Sequence, residues 1–182
     1  GMISLDSVPV ERLMDFRSHV TAVLQTTHIF HASVKENLLV ANPHANEARM
    51  LKALADAGLQ QWFEGLPAGL ETMVGDSARG MSGGEIQRFG LARALVTDSA
   101  FIILDEPTEH LDQETADSIW QTVNRLFHDR GLIIISHDPR IAMDCDQVMV
   151  LDLGRVVEHD APNNLKIDGW LHRMAEVDGL IG

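Results

Sequence analysis

Two adjacent carboxylates, Asp105 and Glu106, follow a short apolar run at 101–104. Such a run is typical of a strand in a parallel sheet with both faces covered. Because ligands of open α/β sheets bind beyond the carboxyl ends of the strands, one acid there would hold Mg²⁺, partly through water. Its neighbour would polarise an attacking water molecule. Taken alone, this pattern is more often a strand that simply ends in a solvated loop.

A second group, Ser82, Gly83, Gly84 and Glu85, opens a stretch with helical spacing. The serine and the glutamate have the spacing of a capping box, which explains both residues without any ligand. A cap does not explain two successive glycines, which destabilise the first turn of a helix. Glycines let a backbone approach a phosphate closely, and a helix N-terminus offers free N–H groups. The pair therefore favours a phosphate contact.

Two further polar side chains also follow apolar runs. His137 follows 132–135 through Ser136, and Gln25 follows 20–24. A neighbouring strand would bring His137 to the edge that carries Asp105, where the imidazole would donate a hydrogen bond to a terminal phosphate. The Gln25 amide would bind Mg²⁺ or the attacking water without changing the local charge. Each residue alone is more often structural, as a histidine at a strand end or a glutamine on the surface.

Apolar β-branched runs alternate with amphipathic stretches, which indicates an α/β fold. Strands are predicted at 3–5, 20–24, 101–104 and 132–135, and a hairpin at 147–151 and 155–158. Helices are predicted at 33–40, 46–57 and 83–96, within a helical insert at 33–97 that shows no convincing strand, and at 161–177. Asp112 is predicted to cap one more helix, whose apolar face carries Ala116, Ile119, Trp120, Val123, Leu126 and Phe127.

Composition excludes several classes of protein. The chain has 182 residues, enough for one domain, and a formal net charge of −13, which argues against nucleic acid as a main partner. Cys145 is the only cysteine, so an internal disulfide is excluded. No apolar run approaches the roughly 20 residues that cross a bilayer. Gly1 before Met2 is typical of a cleaved tag, so the natural protein is expected to extend upstream.

In order and spacing, these segments resemble the ATP-binding cassette (ABC) ATPase family. Gln25 resembles the glutamine loop, 81–85 the signature motif, Asp105 and Glu106 the end of the Walker B strand, 109–112 the D-loop and His137 the switch histidine. Gln87, Arg88 and 91–95 continue the signature helix as the family does. The resemblance implies an α/β, P-loop NTPase-like parallel-sheet core with an inserted helical signature subdomain. The chain would be the C-terminal portion of a nucleotide-binding domain, with a core lobe of 1–32 and 98–182 and a helical subdomain of 33–97.

The resemblance narrows to exporters. Residues 29–38 are similar to the segment after the glutamine loop of exporter-type ABC proteins, which contacts the coupling helices of the membrane domain. Val74, Gly75 and Asp76 also resemble exporters, and among these the thiol-exporting half-transporters of cytochrome bd assembly look most similar. An exporter domain would work at the cytoplasmic face of the cell membrane.

The resemblance also implies roles for the site residues, with ATP and Mg²⁺ as cofactors. Asp105 and Gln25 would serve Mg²⁺, Glu106 would be the catalytic base, and His137 would contact the γ-phosphate. Ser82, Gly83, Gly84 and Glu85 would serve the ATP of a second ABC domain, in a homo- or heterodimer, and Asp112 would help to form the dimer interface. The membrane domain would bind through 25–38, and no nucleic acid is expected.

Departures from the family pattern concern the phosphate loop. The family has Gly-x-x-x-x-Gly-Lys followed by Ser or Thr, whereas none of the three lysines here, Lys35, Lys52 and Lys166, follows a glycine. The Walker A portion is therefore expected to be missing, and these 182 residues are predicted to be inactive by themselves. Met81 stands for the commoner leucine and Glu85 for the commoner glutamine, and neither change is expected to inactivate the site.

Alternatives from other classes remain open at this point. One is a soluble ABC ATPase of DNA repair or translation, which the acidic charge and residues 29–38 disfavour. Another is a non-catalytic interaction module, against which Glu106 and His137 argue for the parent protein. A metal site among the nine histidines lacks a convincing zinc spacing.

Overall fold

The computed structural model describes residues 3–5, 7–12, 16–75, 80–165 and 169–177. Contacts divide the chain into two units, Gly1–Ile135 and Ser136–Gly182, which are described separately. No helix within the described ranges is both long and apolar enough to span a membrane. The sequence-based division into a core lobe and a helical subdomain stays a prediction.

Strands and helices alternate along the chain. The first unit contains, in order, β1 (Ser4–Leu5), β2 (Val8–Pro9), a 3₁₀ turn (Val10–Arg12), α1 (Phe16–His19), β3 (Val20–Val23), β4 (Ala32–Ser33), α2 (Val34–Leu39), α3 (Glu47–Asp56), α4 (Gln60–Glu64), a 3₁₀ turn (Gly69–Glu71), β5 (Met73–Val74), α5 (Gly83–Leu95), β6 (Phe101–Asp105), α6 (Gln113–Phe127) and β7 (Gly131–Ile135). The second contains α7 (Pro139–Met143), β8 (Val148–Asp152), β9 (Arg155–Asp160), a 3₁₀ turn (Pro162–Asn164) and α8 (Trp170–Val177).

A parallel sheet with the order β3-β6-β7 lies at the centre of the first unit. Val23 pairs with Leu104, and Leu104 with Ile134, so the three strands run in register to the same edge. The α/β fold with a parallel core, predicted from the sequence, is confirmed.

The wholly apolar run at 132–135, like that at 101–104, predicts a strand covered on both faces, and for 132–135 this prediction was wrong. Strand β7 is not covered on both faces, because Ile133 and Ile135 are 54% and 52% exposed. The opposite face packs into the core, where Ile102 and Leu104 are fully buried beside residues of α5 and α6 such as Phe89 and Ile119. A wholly apolar run of four residues does not reveal how many faces of its strand are covered, since both faces carry apolar side chains.

Four of the described helices of the first unit begin with a side-chain cap, and the caps Ser82 and Asp112 were predicted from the sequence. The side chains of Ser33, Asn46, Ser82 and Asp112 each accept a hydrogen bond from a backbone N–H in the first turn of α2, α3, α5 and α6. The apolar face predicted for α6 is confirmed, because Ala116, Ile119, Val123 and Phe127 are buried and Trp120 and Leu126 pack against the same core.

A short strand lies inside the stretch 33–97, for which the sequence showed none. Strand β5 pairs antiparallel with β4, and Gly75 follows it with φ 99°. A Cβ added at Gly75 would lie 2.8 Å from the carbonyl oxygen of Phe30, so only glycine allows this approach. Asp76, singled out with Val74 and Gly75, lies outside the described residues.

A buried polar network fixes the backbone between β3 and α2. The Asn37 side chain is fully buried; its Oδ1 accepts from Phe30 N at 2.9 Å, and its Nδ2 donates to the carbonyls of Phe30 and Ser33. Arg93 of α5 donates to Asn37 Oδ1 at 2.6 Å and to His28 O at 2.6 Å. Burial lowers the pKa of the Arg93 guanidinium to about 10, so it remains charged at neutral pH. Residues 28–33 are thus held by two side chains from separate helices.

The second unit contains the predicted hairpin. Strands β8 and β9 pair antiparallel, and the two-residue turn between them has positive φ at both Leu153 (46°) and Gly154 (75°). A turn of this kind favours Asn followed by Gly, because asparagine tolerates the left-handed region better than leucine does. The Leu153 side chain is 95% exposed, so no packing offsets its unfavourable backbone.

The predicted single helix at 161–177 was wrong. Pro162–Asn164 forms a 3₁₀ turn, Leu165 is extended, and α8 begins only at Trp170. The carboxylate of Glu158 on β9 accepts the backbone N–H groups of Trp170 and Leu171, at 2.8 and 3.2 Å. A glutamate from a distant strand therefore caps α8, which spacing within the tail does not reveal.

Replacing Asn37 by alanine is expected to lower the free energy of unfolding by about 3 kcal/mol, because buried donors and acceptors lose their partners together. Urea unfolding of this chain, followed by circular dichroism, measures the change. Asn124→Ala, on the exposed face of α6, is the matched control and should shift stability by less than about 0.5 kcal/mol. Equal effects of both substitutions would contradict the assigned network.

Replacing Leu153 by asparagine is expected to stabilise the chain by about 1 kcal/mol, since it relieves a left-handed leucine. The midpoint of thermal unfolding should rise. Leu151→Asn is the control: Leu151 is 66% exposed but lies within β8, where asparagine is disfavoured, so this change should lower the midpoint or leave it unchanged. A lower midpoint for Leu153→Asn would rule out strain at the turn.

Candidate functional site

The acid pair lies at the carboxyl edge of the parallel sheet. Asp105 is the last residue of β6 and pairs with Ile135, the last residue of β7. The Glu106 N–H donates to the Ile135 carbonyl at 2.9 Å, and Glu106 has φ 46°. A left-handed glutamate costs about 1 kcal/mol, and such strain concentrates at functional sites. The pairing with β7 thus fixes the backbone of both acids.

Gln25 lies at the same carboxyl edge of the parallel sheet. Gln25 lies two residues after Val23. Val23 pairs with Leu104, and Leu104 lies two residues before Glu106. The Gln25 Nε2 atom donates to a carboxylate oxygen of Glu109, whose own N–H donates to Glu106 O at 3.2 Å. The structure therefore places Gln25, Asp105 and Glu106 at one edge of the sheet, and their action as one site stays a prediction. It also adds Glu109 as an intermediary, which sequence reasoning missed.

The loop from Glu106 to Asp112 turns from β6 into α6. His110 has φ 61°, and Asp112 caps α6 by accepting from the Thr115 backbone at 3.0 Å and the Thr115 hydroxyl at 2.7 Å. The hydrogen bonds from Thr115, first that of its hydroxyl, hold the pKa of Asp112 below its usual range. Asp112 is therefore an ionised carboxylate at neutral pH.

A capping box forms at the start of α5. The Ser82 N–H donates to a Glu85 carboxylate oxygen at 2.8 Å, and Ser82 Oγ accepts from the Glu85 N–H at 3.3 Å. The unusual glutamate at position 85 thus has a local role, because glutamate and glutamine both complete such a box.

The two glycines of α5 differ in their surroundings. A Cβ added at Gly84 would lie 2.9 Å from Thr115 Cγ2, whereas one at Gly83 would lie 3.5 Å from Leu111 Cδ2. Close packing of α5 against α6 therefore explains Gly84 without a ligand, an explanation that the sequence alone did not offer. For Gly83 the space is ordinary, and the phosphate contact stays a prediction.

The start of α5 and the D-loop line one open cavity of about 390 Å³. Its walls are Ser82, Gly83, Gly84, Glu85, Arg88, His110, Leu111, Asp112 and Thr115. Arg88 brings a cation to this cavity, while its guanidinium donates to Ala57 O and Ser118 Oγ. Burial lowers the pKa of Arg88 from its ordinary value. The helix N-terminus and Arg88 favour an anion in this cavity, whereas the carboxylates of Glu85 and Asp112 on the same walls oppose one.

Gly90, which sequence reasoning missed, joins α5 to the glutamine loop. A Cβ there would lie 2.6 Å from Thr27 Oγ1 and 2.9 Å from Val23 Cγ1. A glycine in a helix interior destabilises the helix by about 1 kcal/mol relative to alanine, and that was the available signal. A second cavity, of about 410 Å³, lies beside this contact, and Leu24, Phe30, Val40 and Arg93 are among its lining residues.

His137 follows β7 by two residues and belongs to the second unit. Its convergence with the acid pair stays a prediction.

The donors at the sheet edge fit Mg²⁺ in the presence of a nucleotide. Asp105 offers carboxylate oxygens, and the Gln25 amide oxygen is not the atom that meets Glu109. Among the described residues, no three His, Cys, Asp or Glu side chains group as ligands of a metal ion. Mg²⁺ commonly uses one or two protein oxygens and completes its shell with phosphate and water, so these donors suit it.

Comparison with known proteins gives relatives of one kind. A family model described as ABC transporter matches residues 1–109. The chain is 36% identical over 175 residues to the ATP-dependent lipid A-core flippase of Bordetella avium, covering 94% of this chain and 30% of that protein. It is 35% identical over 167 residues to the glutathione/L-cysteine transport system ATP-binding/permease protein CydC of Bacillus subtilis, covering 91% and 30%.

A solved structure agrees. The structure of a bacterial Atm1-family ABC exporter with ATP bound matches 98% of this chain and 32% of its own, with a TM-score of 0.85 and 29% identity. The chain thus spans about a third of the length of the relatives it matches. The predicted resemblance to exporter-type ABC proteins is confirmed. The finer resemblance to thiol exporters stays a prediction, because the lipid A-core flippases match this chain equally well. With more than half of its residues matched by the family model, the chain belongs to the ABC transporter family.

Proposed function

We propose that this chain works in the ATP-hydrolysing domain that powers a membrane exporter. The supporting observation is the edge of the sheet, where β6 presents Asp105 and Glu106 beside Gln25 on backbones fixed by parallel pairing. Phosphoryl transfer depends mainly on positioning and on neutralising charge, and this edge supplies oxygen ligands and a candidate base at fixed positions.

Each residue at the edge has its own role in this proposal. Bound Mg²⁺ would neutralise phosphate charge, and Asp105 and Gln25 would hold it. Glu106 would accept a proton from the attacking water. His137 would donate a hydrogen bond to the γ-phosphate of the nucleotide.

The cavity at the start of α5 would take the nucleotide of a second ABC domain. Ser82, Gly83 and Gly84 would face its phosphates, while Glu85 keeps the cap and Arg88 adds positive charge. Asp112 would contribute to the interface between the two domains, since the D-loop lines the same cavity.

Residues 25–38 would receive the coupling helices of the membrane domain at the cytoplasmic face of the cell membrane. Phe30 is 42% exposed and lines the second cavity, although its backbone is fixed by Asn37. A fixed backbone that exposes an aromatic ring suits a contact that must transmit motion between domains.

Replacing Glu106 by glutamine in the full-length transporter is expected to lower kcat for ATP hydrolysis at least about 100-fold, because the amide does not accept the proton. ATP binding should persist, since no phosphate contact is assigned to Glu106. Steady-state phosphate release and nucleotide binding measure the two effects. Glu47→Gln, on the first turn of α3, is the control and should hydrolyse ATP normally. Normal hydrolysis in Glu106→Gln would refute the assigned site.

The 182 residues alone are expected to bind MgATP with a Kd above about 1 mM and not to hydrolyse it. The reason is that the sequence contains no lysine after a glycine, and such a loop is the main phosphate anchor in this family. Isothermal titration calorimetry with MgATP tests the expectation. Micromolar binding by this chain would show that another segment anchors the phosphates.

A further inference from the structure

Glu109 occupies an unusual position in the loop between β6 and α6. Its side chain is only 25% exposed, although it lies in a surface loop beside His110, whose side chain is 81% exposed. Its carboxylate accepts a hydrogen bond from Gln25 Nε2, and its other oxygen lies 3.8 Å from His110 Nε2. The backbone N–H of Glu109 donates to Glu106 O at 3.2 Å. Glu109 thus contacts both the glutamine that follows β3 and the acid that follows β6.

The chemistry of this contact fixes one property of Gln25. A terminal amide has a donor end and an acceptor end, and it can turn either way unless its partner discriminates between them. An ionised carboxylate only accepts hydrogen bonds, so it pairs with Nε2 and not with Oε1. In this contact the amide oxygen of Gln25 is therefore directed away from Glu109.

We propose that Glu109 is a positioning residue, which orients the Gln25 amide so that its oxygen, and not its nitrogen, serves Mg²⁺ or the attacking water. The inference rests on the function proposed above and adds a residue to it. The amide nitrogen cannot coordinate a cation, so the orientation decides whether Gln25 assists or obstructs the metal.

A second glutamine–glutamate pair in the chain shows what an incidental contact looks like. Gln60 Nε2 donates to Glu64 Oε1 at 2.9 Å, but these residues lie only one turn apart on α4. Gln25 and Glu109 are 84 positions apart, and their contact joins the end of β3 to the loop after β6. Glu64 therefore provides a control with the same chemistry and no connection to the sheet edge.

Two substitutions at Glu109 change the orientation of Gln25 to different degrees. In Glu109→Gln, the charge is lost, and the new amide can either accept from Gln25 Nε2 or donate to Gln25 Oε1, so the orientation is only partly kept. In Glu109→Lys, the ammonium only donates, so it pairs with Gln25 Oε1 and turns the amide around.

Steady-state ATPase assays of the full-length transporter across Mg²⁺ concentrations test the proposal. Glu109→Lys should raise the Mg²⁺ concentration for half-maximal activity about tenfold or lower kcat about tenfold, as substitutions behind a metal ligand commonly do. Glu109→Gln should lose about threefold at most, because its amide still permits the productive orientation of Gln25, and the control Glu64→Lys should stay within about twofold of the unmodified protein. Equal losses in Glu109→Lys and Glu109→Gln would overturn the proposal, and so would normal activity in Glu109→Lys.

A measurement without ATP keeps this inference separate from the proposed function. In ¹⁵N spectra of the 182-residue chain, the side-chain amide signals of Gln25, assigned by their absence in Gln25→Leu, should differ from those of exposed Gln147. They should move to ordinary positions in Glu109→Ala, while the Gln60 signals stay in place. Ordinary Gln25 signals in the unmodified chain would overturn the inference, whatever the ATPase shows. If those signals behave as expected but Glu106→Gln hydrolyses ATP normally, the proposed function fails and the contact between Gln25 and Glu109 stands.

Discussion

Strand β6 pairs in parallel with β3 on one side and β7 on the other, and every feature of the site depends on that pairing. Parallel strands in register end at the same edge, so the residues that follow them are neighbours without needing to be close in sequence. The N–H of Glu106 continues the ladder by donating to Ile135, which holds a left-handed residue at the tip of the strand. The position of the acid pair is therefore a consequence of backbone hydrogen bonding.

Helix α5 connects this edge of the sheet to the rest of the first unit. Its first turn is closed by a capping box, Gly90 allows it to approach β3 closely, and Arg93 reaches the carbonyls of the segment before α2. A single helix thus contacts the glutamine loop, the buried Asn37 and the loop that precedes α6. Since so many contacts converge on it, a shift of this helix would move both cavities of the first unit together.

The glycines at the start of α5 show how one residue serves packing and recognition at once. Gly84 has to be small because α6 begins beside it, with Thr115 in close contact. The same small residues leave the first N–H groups of the helix accessible from the cavity that contains Asp112 and Arg88. A packing explanation for a glycine therefore does not exclude a role in binding, and the two arise from one geometric requirement.

The sequence by itself determined most of the elements and the family, and it predicted the residues of the site. Capping residues located the starts of α5 and α6, because a cap acts on N–H groups only two or three positions away, and helical spacing located α2 and α3. Apolar runs located β3, β6, β7 and the hairpin for the same reason, since periodicity is a local property. The order of Gln25, the signature residues and the acid pair indicated the family.

Only the tertiary structure decided what depends on distant neighbours. Three features each involve another element of the fold. They are the exposure of Ile133, the start of α8 at Trp170, whose N–H donates to Glu158, and the close approach of Thr115 to Gly84. The contact of Glu109 with Gln25 spans 84 positions and has no local signature. Hydrogen bonds between side chains depend on where the backbone places them in space, and no pattern within a short window carries that information.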